Sequence, residues 1–208
     1  MIIKKLVLNS FHTNTYIVAE GGDAVVIDPA GNPALILAEI EKTVKEAKLK
    51  YILLTHGHFD HISAAADLKQ MSGGLICIHE NDEPMLSDAD KSFAAFMPEE
   101  WKPCRADELL NDNDIVTVND KFAFKVIATP GHSGGSVIYA VGDVIFSGDT
   151  LFEGSVGRID GWSGNHYEQM NSLERIKAMQ GNYRILPGHG DETTLEREKR
   201  SNPFLIDL

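Results

Sequence analysis

Apolar and β-branched residues recur along this chain in short runs that alternate with segments of helical period, as in a protein of mixed strands and helices. In the first half, Asn32 and Pro33 mark the start of a helix over residues 33–47, because a side-chain acceptor followed by proline suits a helix N-terminus. A second helix is predicted over residues 62–69, ahead of Gly73. Strands are predicted at residues 5–8, 15–19, 24–28 and 51–54.

The second half repeats this alternation, so we expect two sheets face to face with helices outside. A helix is predicted over residues 167–179. Residues 82–103 form an irregular stretch with two interpretations: a short helix or lid over a pocket, or aromatic residues that belong to the core or an interface. Near the C-terminus, basic and acidic residues alternate from Glu192 to Arg200, which predicts a solvated helix face. Strands are predicted at residues 115–118, 122–129, 137–141, 144–147 and 183–186.

The densest polar feature is the run that follows the strand at residues 51–54, where four potential metal ligands occur within six residues: His56, His58, Asp60 and His61. On an extended segment, side chains two residues apart share a face, so the first three are expected to converge while His61 turns away. One segment can therefore supply two adjacent metal sites. The alternative is a solvated polar loop.

Three further candidate ligands, His132, Asp149 and His189, each follow an apolar or β-branched run and sit beside glycine, in tight-turn contexts. Imidazole and carboxylate without thiolate suit zinc, iron or manganese at an open, catalytic site. Seven such side chains are more ligands than one tetrahedral ion can bind. The sequence therefore predicts two divalent ions, zinc first and iron or manganese as alternatives, sharing a bridging carboxylate and a bridging water.

Length and composition limit the other possibilities. A chain of 208 residues is expected to form a single domain, residues 1–208. No apolar run approaches the ~20 residues of a membrane span, and the N-terminus leads directly into a strand pattern rather than an export signal. The two cysteines, Cys77 and Cys104, suit a reducing compartment, and Cys77 lies in an apolar run typical of the core. We expect a cytoplasmic protein.

The net charge of the chain limits the kinds of partner that we expect. The net charge of −12 opposes binding to a phosphate backbone, which depends on dense basic patches. We therefore expect a small-molecule substrate and neither a nucleic-acid nor a membrane partner. The sequence leaves the oligomeric state open.

The His-x-His-x-Asp-His run, followed by His132, Asp149 and His189, resembles the metallo-β-lactamase superfamily and, within it, short single-domain hydrolases similar to glyoxalase II (hydroxyacylglutathione hydrolase). The resemblance implies an α+β fold, the αββα four-layer sandwich. It implies that Asp149 bridges the metals and that Asp28 supports the metal loop; a turn role for Asp28 before Pro29 is compatible with this. The implied first metal has His56, His58 and His132, and the second has Asp60, His61 and His189.

The same resemblance implies hydrolysis of a thioester such as S-lactoylglutathione, by attack of a metal-bridging hydroxide that Asp60, as the catalytic residue, helps to orient. Typical glyoxalase II enzymes carry an added helical region that binds glutathione; we do not expect that region after His189 in this sequence, so the identity of the thiol stays open. Arg158 is a candidate for gripping a substrate carboxylate, with an ion pair to Asp160 as the alternative.

A different class also resembles this chain. Persulfide dioxygenases share the Gly-Arg-x-Asp element at residues 157–160 and use a single iron held by the equivalents of His56, His132 and Asp149. The complete second ligand set and the aromatic Phe59 favour the hydrolases. A lactonase, which shares all seven ligands, and a non-catalytic metal-binding protein remain as weaker alternatives.

Overall fold

The computed structural model describes residues 1–97 and 101–208, which include two six-stranded sheets. The first sheet follows chain order, and its first three strands are antiparallel neighbours while the last three add in parallel. Its strands are β1 (Ile2–Leu8), β2 (Thr13–Glu20), β3 (Asp23–Ile27), β4 (Lys48–Leu53), β5 (Leu75–His79) and β6 (Glu108–Leu110). Strands β5 and β6 were not predicted as strands, although the sequence placed Cys77 of β5 in an apolar run typical of the core.

The second sheet has the order β14-β13-β10-β9-β8-β7, and only β10 and β13 pair in parallel. Its strands are β7 (Ile115–Thr117), β8 (Ala123–Ala128), β9 (Val137–Val141), β10 (Val144–Gly148), β13 (Arg184–Pro187) and β14 (Thr193–Thr194). A small hairpin, β11 (Leu151–Phe152) and β12 (Ser155–Val156), stands apart from both sheets. The predicted strands of this half agree with these bounds to within a few residues.

Six α-helices complete the described part of the chain: α1 (Pro33–Thr43), α2 (Phe59–Ile62), α3 (Ala65–Ser72), α4 (His166–Ala178), α5 (Leu195–Ser201) and α6 (Pro203–Ile206). Asn32 caps α1 as predicted, accepting hydrogen bonds from the backbone of Ala34 and Leu35. The helix ends earlier than residue 47, because Val44 is already extended at φ −142°.

The single helix predicted over residues 62–69 is wrong: the chain forms α2, breaks, and then forms α3. At the break the backbone N–H of Ala64 donates to the carbonyl of Pro29 at 3.0 Å, so a tertiary contact replaces a helical hydrogen bond. The irregular stretch contains two short 3-10 helices, Glu80–Leu86 and Ala94–Phe96. Part of that predicted stretch, residues 98–100, lies outside the described residues.

Three apolar clusters separate four layers. The central cluster lies between the sheets and includes Phe124, Tyr139 and Phe146. A second cluster packs α1 and α3 on the outer face of the first sheet, and a third packs α4, α5 and α6 on the outer face of the second. Burial of both faces of both sheets confirms the expected αββα sandwich. Cys77 is fully buried in the central cluster, as predicted.

The solvated face predicted near the C-terminus is wrong for Glu198, which is fully buried in α5. Its carboxylate accepts hydrogen bonds from the Thr193 hydroxyl at 2.6 Å, the Gly154 backbone at 2.8 Å and the Asn202 amide at 2.9 Å. These donors offset the cost of burying the charge. Glu198 thereby fixes the β11–β12 hairpin against α5.

Hydrogen bonds between the sheets bring the candidate ligand loops to one edge of the sandwich. The Val137 N–H of β9 donates to the carbonyl of Thr55 at 2.9 Å, and the Asn14 N–H of β2 donates to the carbonyl of Gly188 at 2.7 Å. Loops at the ends of sheet strands are a common location for functional side chains. Among the described residues, no helix is both long and apolar enough to span a bilayer.

Candidate metal centre

Three buried histidines converge at the first group of candidate ligands. His58 Nδ1 lies 2.8 Å from His132 Nε2, which in turn lies 3.3 Å from His56 Nε2. His56 and His58 project from the segment between β4 and α2, and His132 projects from the turn after β8. Their rings are no more than 7% exposed, so the nitrogens face one another rather than solvent.

The second group consists of Asp60, His61 and His189. Asp60 Oδ2 lies 3.3 Å from His61 Nε2 and 3.1 Å from His189 Nε2, and the two ring nitrogens are 3.2 Å apart. The prediction that Asp60 shares a face with His56 and His58 is wrong. Helix α2 begins at Phe59, so the period of two ends there and Asp60 turns towards the neighbouring group.

Asp149 lies between the two groups, at the end of β10. One carboxylate oxygen is 3.3 Å from His61 Nε2, and the other is 3.7 Å from His132 Nε2 and 3.6 Å from His189 Nε2. The buried oxygen Oδ1 accepts no hydrogen bond from the described residues. A buried carboxylate oxygen without a donor is costly unless something else binds it.

The titration states of His56 and His58 fit metal ligation. Burial lowers the pKa of His56 well below its usual value, and the adjacent His61 acts in the same direction. Burial, with His132 next, lowers the pKa of His58 to about 3. Neutral imidazoles present free lone pairs, which is the form that binds a metal. Together with the orphaned oxygen of Asp149, these residues fit a divalent ion.

The second group carries opposite charges in close contact. Burial opposes ionisation of Asp60, but His61 and the hydrogen bond from His189 outweigh it and hold the pKa of this carboxyl below its usual range. Burial also disfavours a charged His61, yet Asp60, Asp149 and Asp28 raise its pKa well above the ordinary value. A metal arriving here replaces a proton as the positive charge between carboxylates, so binding is expected to weaken in acid.

Asp28 holds the metal loop from behind. Its Oδ1 accepts from the Thr55 N–H at 2.8 Å, and its Oδ2 lies 2.7 Å from the Thr55 hydroxyl and 3.0 Å from His61 Nδ1. The last contact directs His61 Nε2 towards the second group. Asp28 also adopts φ +50°, the left-handed turn conformation that aspartate tolerates better than most residues.

Asp82, which the sequence analysis missed, connects the two loops of the first group. Its fully buried carboxylate accepts from the Gly57 N–H at 3.0 Å, the Ser133 hydroxyl at 2.6 Å and the Gly135 N–H at 2.7 Å. Burial raises its pKa, against the effect of these donors. The signal in the sequence that could have indicated this close approach is Gly135. A Cβ at this position would lie 2.7 Å from Asp82, so only glycine fits.

Two residues at the turn between β1 and β2 support Asp60, and the sequence analysis missed both of them. The Thr13 hydroxyl donates to Asp60 Oδ2 at 3.0 Å, and the Asn9 amide donates to the Asp60 carbonyl at 2.9 Å. These partners are remote in sequence, so no local pattern pointed to them. They hold the carboxylate oxygen that faces His61 and His189.

Arg158 contributes through its backbone and its side chain in different ways. Its carbonyl accepts a hydrogen bond from His132 Nδ1 at 2.7 Å, which directs His132 Nε2 into the first group. Its exposed guanidinium donates to both carboxylate oxygens of Asp160, at 2.5 and 2.9 Å. The alternative raised from the sequence, an ion pair, is therefore present; substrate binding by Arg158 stays a prediction.

The profile of the metallo-beta-lactamase superfamily matches residues 8–189, and the chain belongs to this superfamily. Hydroxyacylglutathione hydrolase GloC of Haemophilus influenzae is 33% identical over 195 residues, covering 88% of this chain and 87% of that protein. The family therefore supports a metal-dependent hydrolase.

Two solved structures share the whole architecture. BLEG-1, a B3 metallo-beta-lactamase, superposes with a TM-score of 0.90 at 31% identity, covering 98% of this chain and 99% of that one. TTHA1623 in a di-iron-bound form gives 0.83 at 35% identity, with 97% and 100% covered. The fold and the His/Asp groups suggest a divalent metal here, and the iron in the second structure leaves its identity open.

Proposed function

We propose that this protein is a dinuclear metal-dependent hydrolase that cleaves a thioester of the S-lactoylglutathione type. The observation that carries the proposal is two adjacent ligand groups, complete and largely buried, on either side of Asp149. The likeness to a hydroxyacylglutathione hydrolase supports the thioester as substrate. Zinc is the first choice of metal, because imidazole with carboxylate suits it, and iron or manganese fits the same donors.

Each group of residues has a defined task in this mechanism. His56, His58 and His132 would hold one ion, Asp60, His61 and His189 the other, and Asp149 would serve both. Bound divalent ions supply Lewis acidity and lower the pKa of bound water. Asp60, kept ionised by His61 and His189, would orient the attacking hydroxide by accepting a hydrogen bond from it, and the Thr13 hydroxyl fixes the orientation of this carboxylate.

The proposal also covers partners and location. A small acyl-thiol is the substrate, and no nucleic-acid or membrane partner is invoked, because the net charge of −12 opposes anionic surfaces. Two free cysteines support the reducing environment of the cytoplasm.

The test combines metal content with turnover on the same preparation. We expect two metals per chain and hydrolysis of S-lactoylglutathione in the wild type. Asp60→Asn is expected to lose at least about 100-fold in kcat, the order expected when the nucleophile is no longer correctly positioned, while the fold persists by circular dichroism. His58→Ala is expected to lose the first ion as well as turnover.

Asp120→Asn is the matched control, because this exposed aspartate lies away from both groups. Full activity of Asp60→Asn with verified metal content would reject the role of this carboxylate. One iron per chain with oxygen uptake on glutathione persulfide would instead support a dioxygenase. Two metals with neither activity would direct the search to lactones and, given the likeness to BLEG-1, to β-lactams.

A further inference from the structure

The cavity in front of Asp149 has a volume of about 640 Å³, within the range of small-molecule sites. Its walls are mainly aromatic and come from the β1–β2 turn, α2, the stretch after the first 3-10 helix, and the β11–β12 hairpin. The apolar side chains that line it are Phe11, Phe59, Phe93, Phe96, Met97 and Phe152. These side chains give the cavity a large apolar surface beside the polar ligand groups.

Two of these aromatic rings are exposed at the cavity. Phe96 is 71% exposed and Phe11 is 42% exposed, although both rings are large enough to favour burial. Neither contributes to the three apolar clusters of the fold. Exposed aromatics on the wall of a concave site are typical of surfaces that bury a ligand.

A third ring is held at the cavity by an unfavourable backbone. Phe93 adopts φ +66°, the left-handed conformation that bulky residues rarely take. The preceding carbonyl, that of Ser92, accepts the Phe59 N–H at 2.8 Å and so anchors this segment to α2. In this position the Phe93 ring centroid lies 5.2 Å from that of His58. The fold thus accepts a strained residue and thereby places an aromatic ring beside the first ligand group.

Positive charge is scarce in the same cavity. Among the described lining residues, Arg158 is the only lysine or arginine, and Asp160 already pairs with its guanidinium. These walls therefore offer little positive charge apart from the ions, whereas a neutral apolar group would desolvate the rings at little electrostatic cost.

We infer that the site selects substrates in which at least one group beside the scissile carbonyl is neutral, apolar and about the size of a phenyl ring, and that Phe96 is a specificity-determining residue for it. This inference rests on the thioester hydrolysis proposed above. It concerns the group that fills the cavity rather than the bond that is cleaved.

The test varies one group at a time on metal-loaded protein. On the acyl side, phenylacetyl and acetyl thioesters of N-acetylcysteamine are compared; on the thiol side, S-benzyl and S-methyl thioacetate. We expect kcat/KM to be about tenfold higher for the phenyl member of at least one pair, in keeping with burial of a ring. Phe96→Ala should then lower kcat/KM for that member by about three- to tenfold, through KM, and leave its small partner within about twofold.

Phe96→Leu should restore most of the preference, because it returns apolar area without the ring. Phe204→Ala is the matched control, since Phe204 is exposed on α6 and does not line the cavity. Absence of a phenyl preference in both pairs, or an equal loss for both members in Phe96→Ala, would overturn the inference.

A binding measurement separates this inference from the proposed function. Phenylacetate and acetate are titrated calorimetrically into the metal-loaded protein and into Phe96→Ala. If no thioester is cleaved, thioester hydrolysis fails, and tighter binding of phenylacetate that Phe96→Ala removes still supports the apolar site. Equal binding of the two acids together with no phenyl preference in turnover would reject the site itself.

Discussion

At the scale of single residues, two buried carboxylates position the loops that carry the candidate ligands. Asp28 binds Thr55 and His61, and Asp82 binds Gly57 and the loop at residues 133–135. Residues that fix ligands from behind commonly matter almost as much for metal affinity as the ligands themselves. Asp82 has the sharper consequence, because it touches both loops of the first group but none of its three histidines.

Asp82→Asn is expected to weaken the first metal selectively. Gly57 and Gly135 each donate to a different oxygen of Asp82, and an amide retains only one of those oxygens. We expect the affinity of one ion to fall by about 10- to 100-fold while the other changes little. Competitive zinc titration against a chromophoric chelator measures both affinities, and cobalt spectra report the geometry of each site.

Asp107→Asn provides the control for Asp82. Asp107 also accepts a backbone N–H, from Ile76 at 2.8 Å, but lies just before β6, outside the loops that carry the candidate ligands. A comparable loss of zinc affinity in Asp107→Asn would show that general destabilisation, rather than the connection between loops, lowers metal affinity.

At the scale of elements, an ion pair attaches α4 to the second sheet. The Arg175 guanidinium donates to both oxygens of Asp112, at 2.8 and 3.0 Å, and to the carbonyl of Ala128 at 3.1 Å. Asp112 also accepts the Ala128 N–H at 2.8 Å. Burial raises the pKa of Asp112, but these hydrogen bonds outweigh it and hold the pKa below its usual range.

This pair predicts a pH-dependent contribution to stability. Because the pKa of Asp112 is lower in the folded than in the unfolded chain, its contribution is present above the unfolded value of about 4 and is lost as the pH falls through the folded value. The pair is partly exposed, so solvent screening limits it to about 0.2–1 kcal/mol. Asp112→Asn should lower the free energy of unfolding by that amount at neutral pH, with the difference vanishing in acid.

Urea unfolding of the metal-free protein between neutral pH and about pH 3 measures this difference without interference from metal loss. Asp120→Asn, an exposed change in the turn between β7 and β8, serves as the reference. A destabilisation by Asp112→Asn that stays constant across the range would contradict the assignment to an ionised pair.

At the scale of the whole molecule, the candidate metal centre joins the two sheets. His56 and His58 follow β4 of the first sheet, whereas His132, Asp149 and His189 follow strands of the second. Bound metal is therefore expected to link the halves of the sandwich and to stabilise the folded chain, in which alone the ligands are assembled.

Metal removal should lower Tm in a concentration-dependent way. At a free metal concentration of about 100 times Kd, each site adds about 2.7 kcal/mol to the free energy of unfolding. For a chain of this size, that raises Tm by roughly 5–10 °C. Differential scanning calorimetry in a chelator and across a zinc series measures the shift. His166→Ala, at an exposed histidine of α4, should keep the full shift, and His132→Ala should lose part of it. A Tm independent of metal in the wild type would count against both sites.

The amino-acid sequence by itself determined the features that depend on neighbours along the chain. Alternating apolar runs located most strands, Asn32 and Pro33 located the start of α1, and the strand-then-turn contexts identified all seven candidate ligands. These are local effects of side-chain period and turn chemistry, so a linear pattern carries them.

Only the tertiary structure decided how those residues are used. The break between α2 and α3 depends on Pro29, the grouping of Asp60 with His189 depends on where α2 begins, and the burial of Glu198 depends on the hairpin it binds. The roles of Thr13 and Asp82, and the aromatic cavity, likewise arise from segments far apart in the chain. Such contacts form only when the two sheets pack together, and no local period records them.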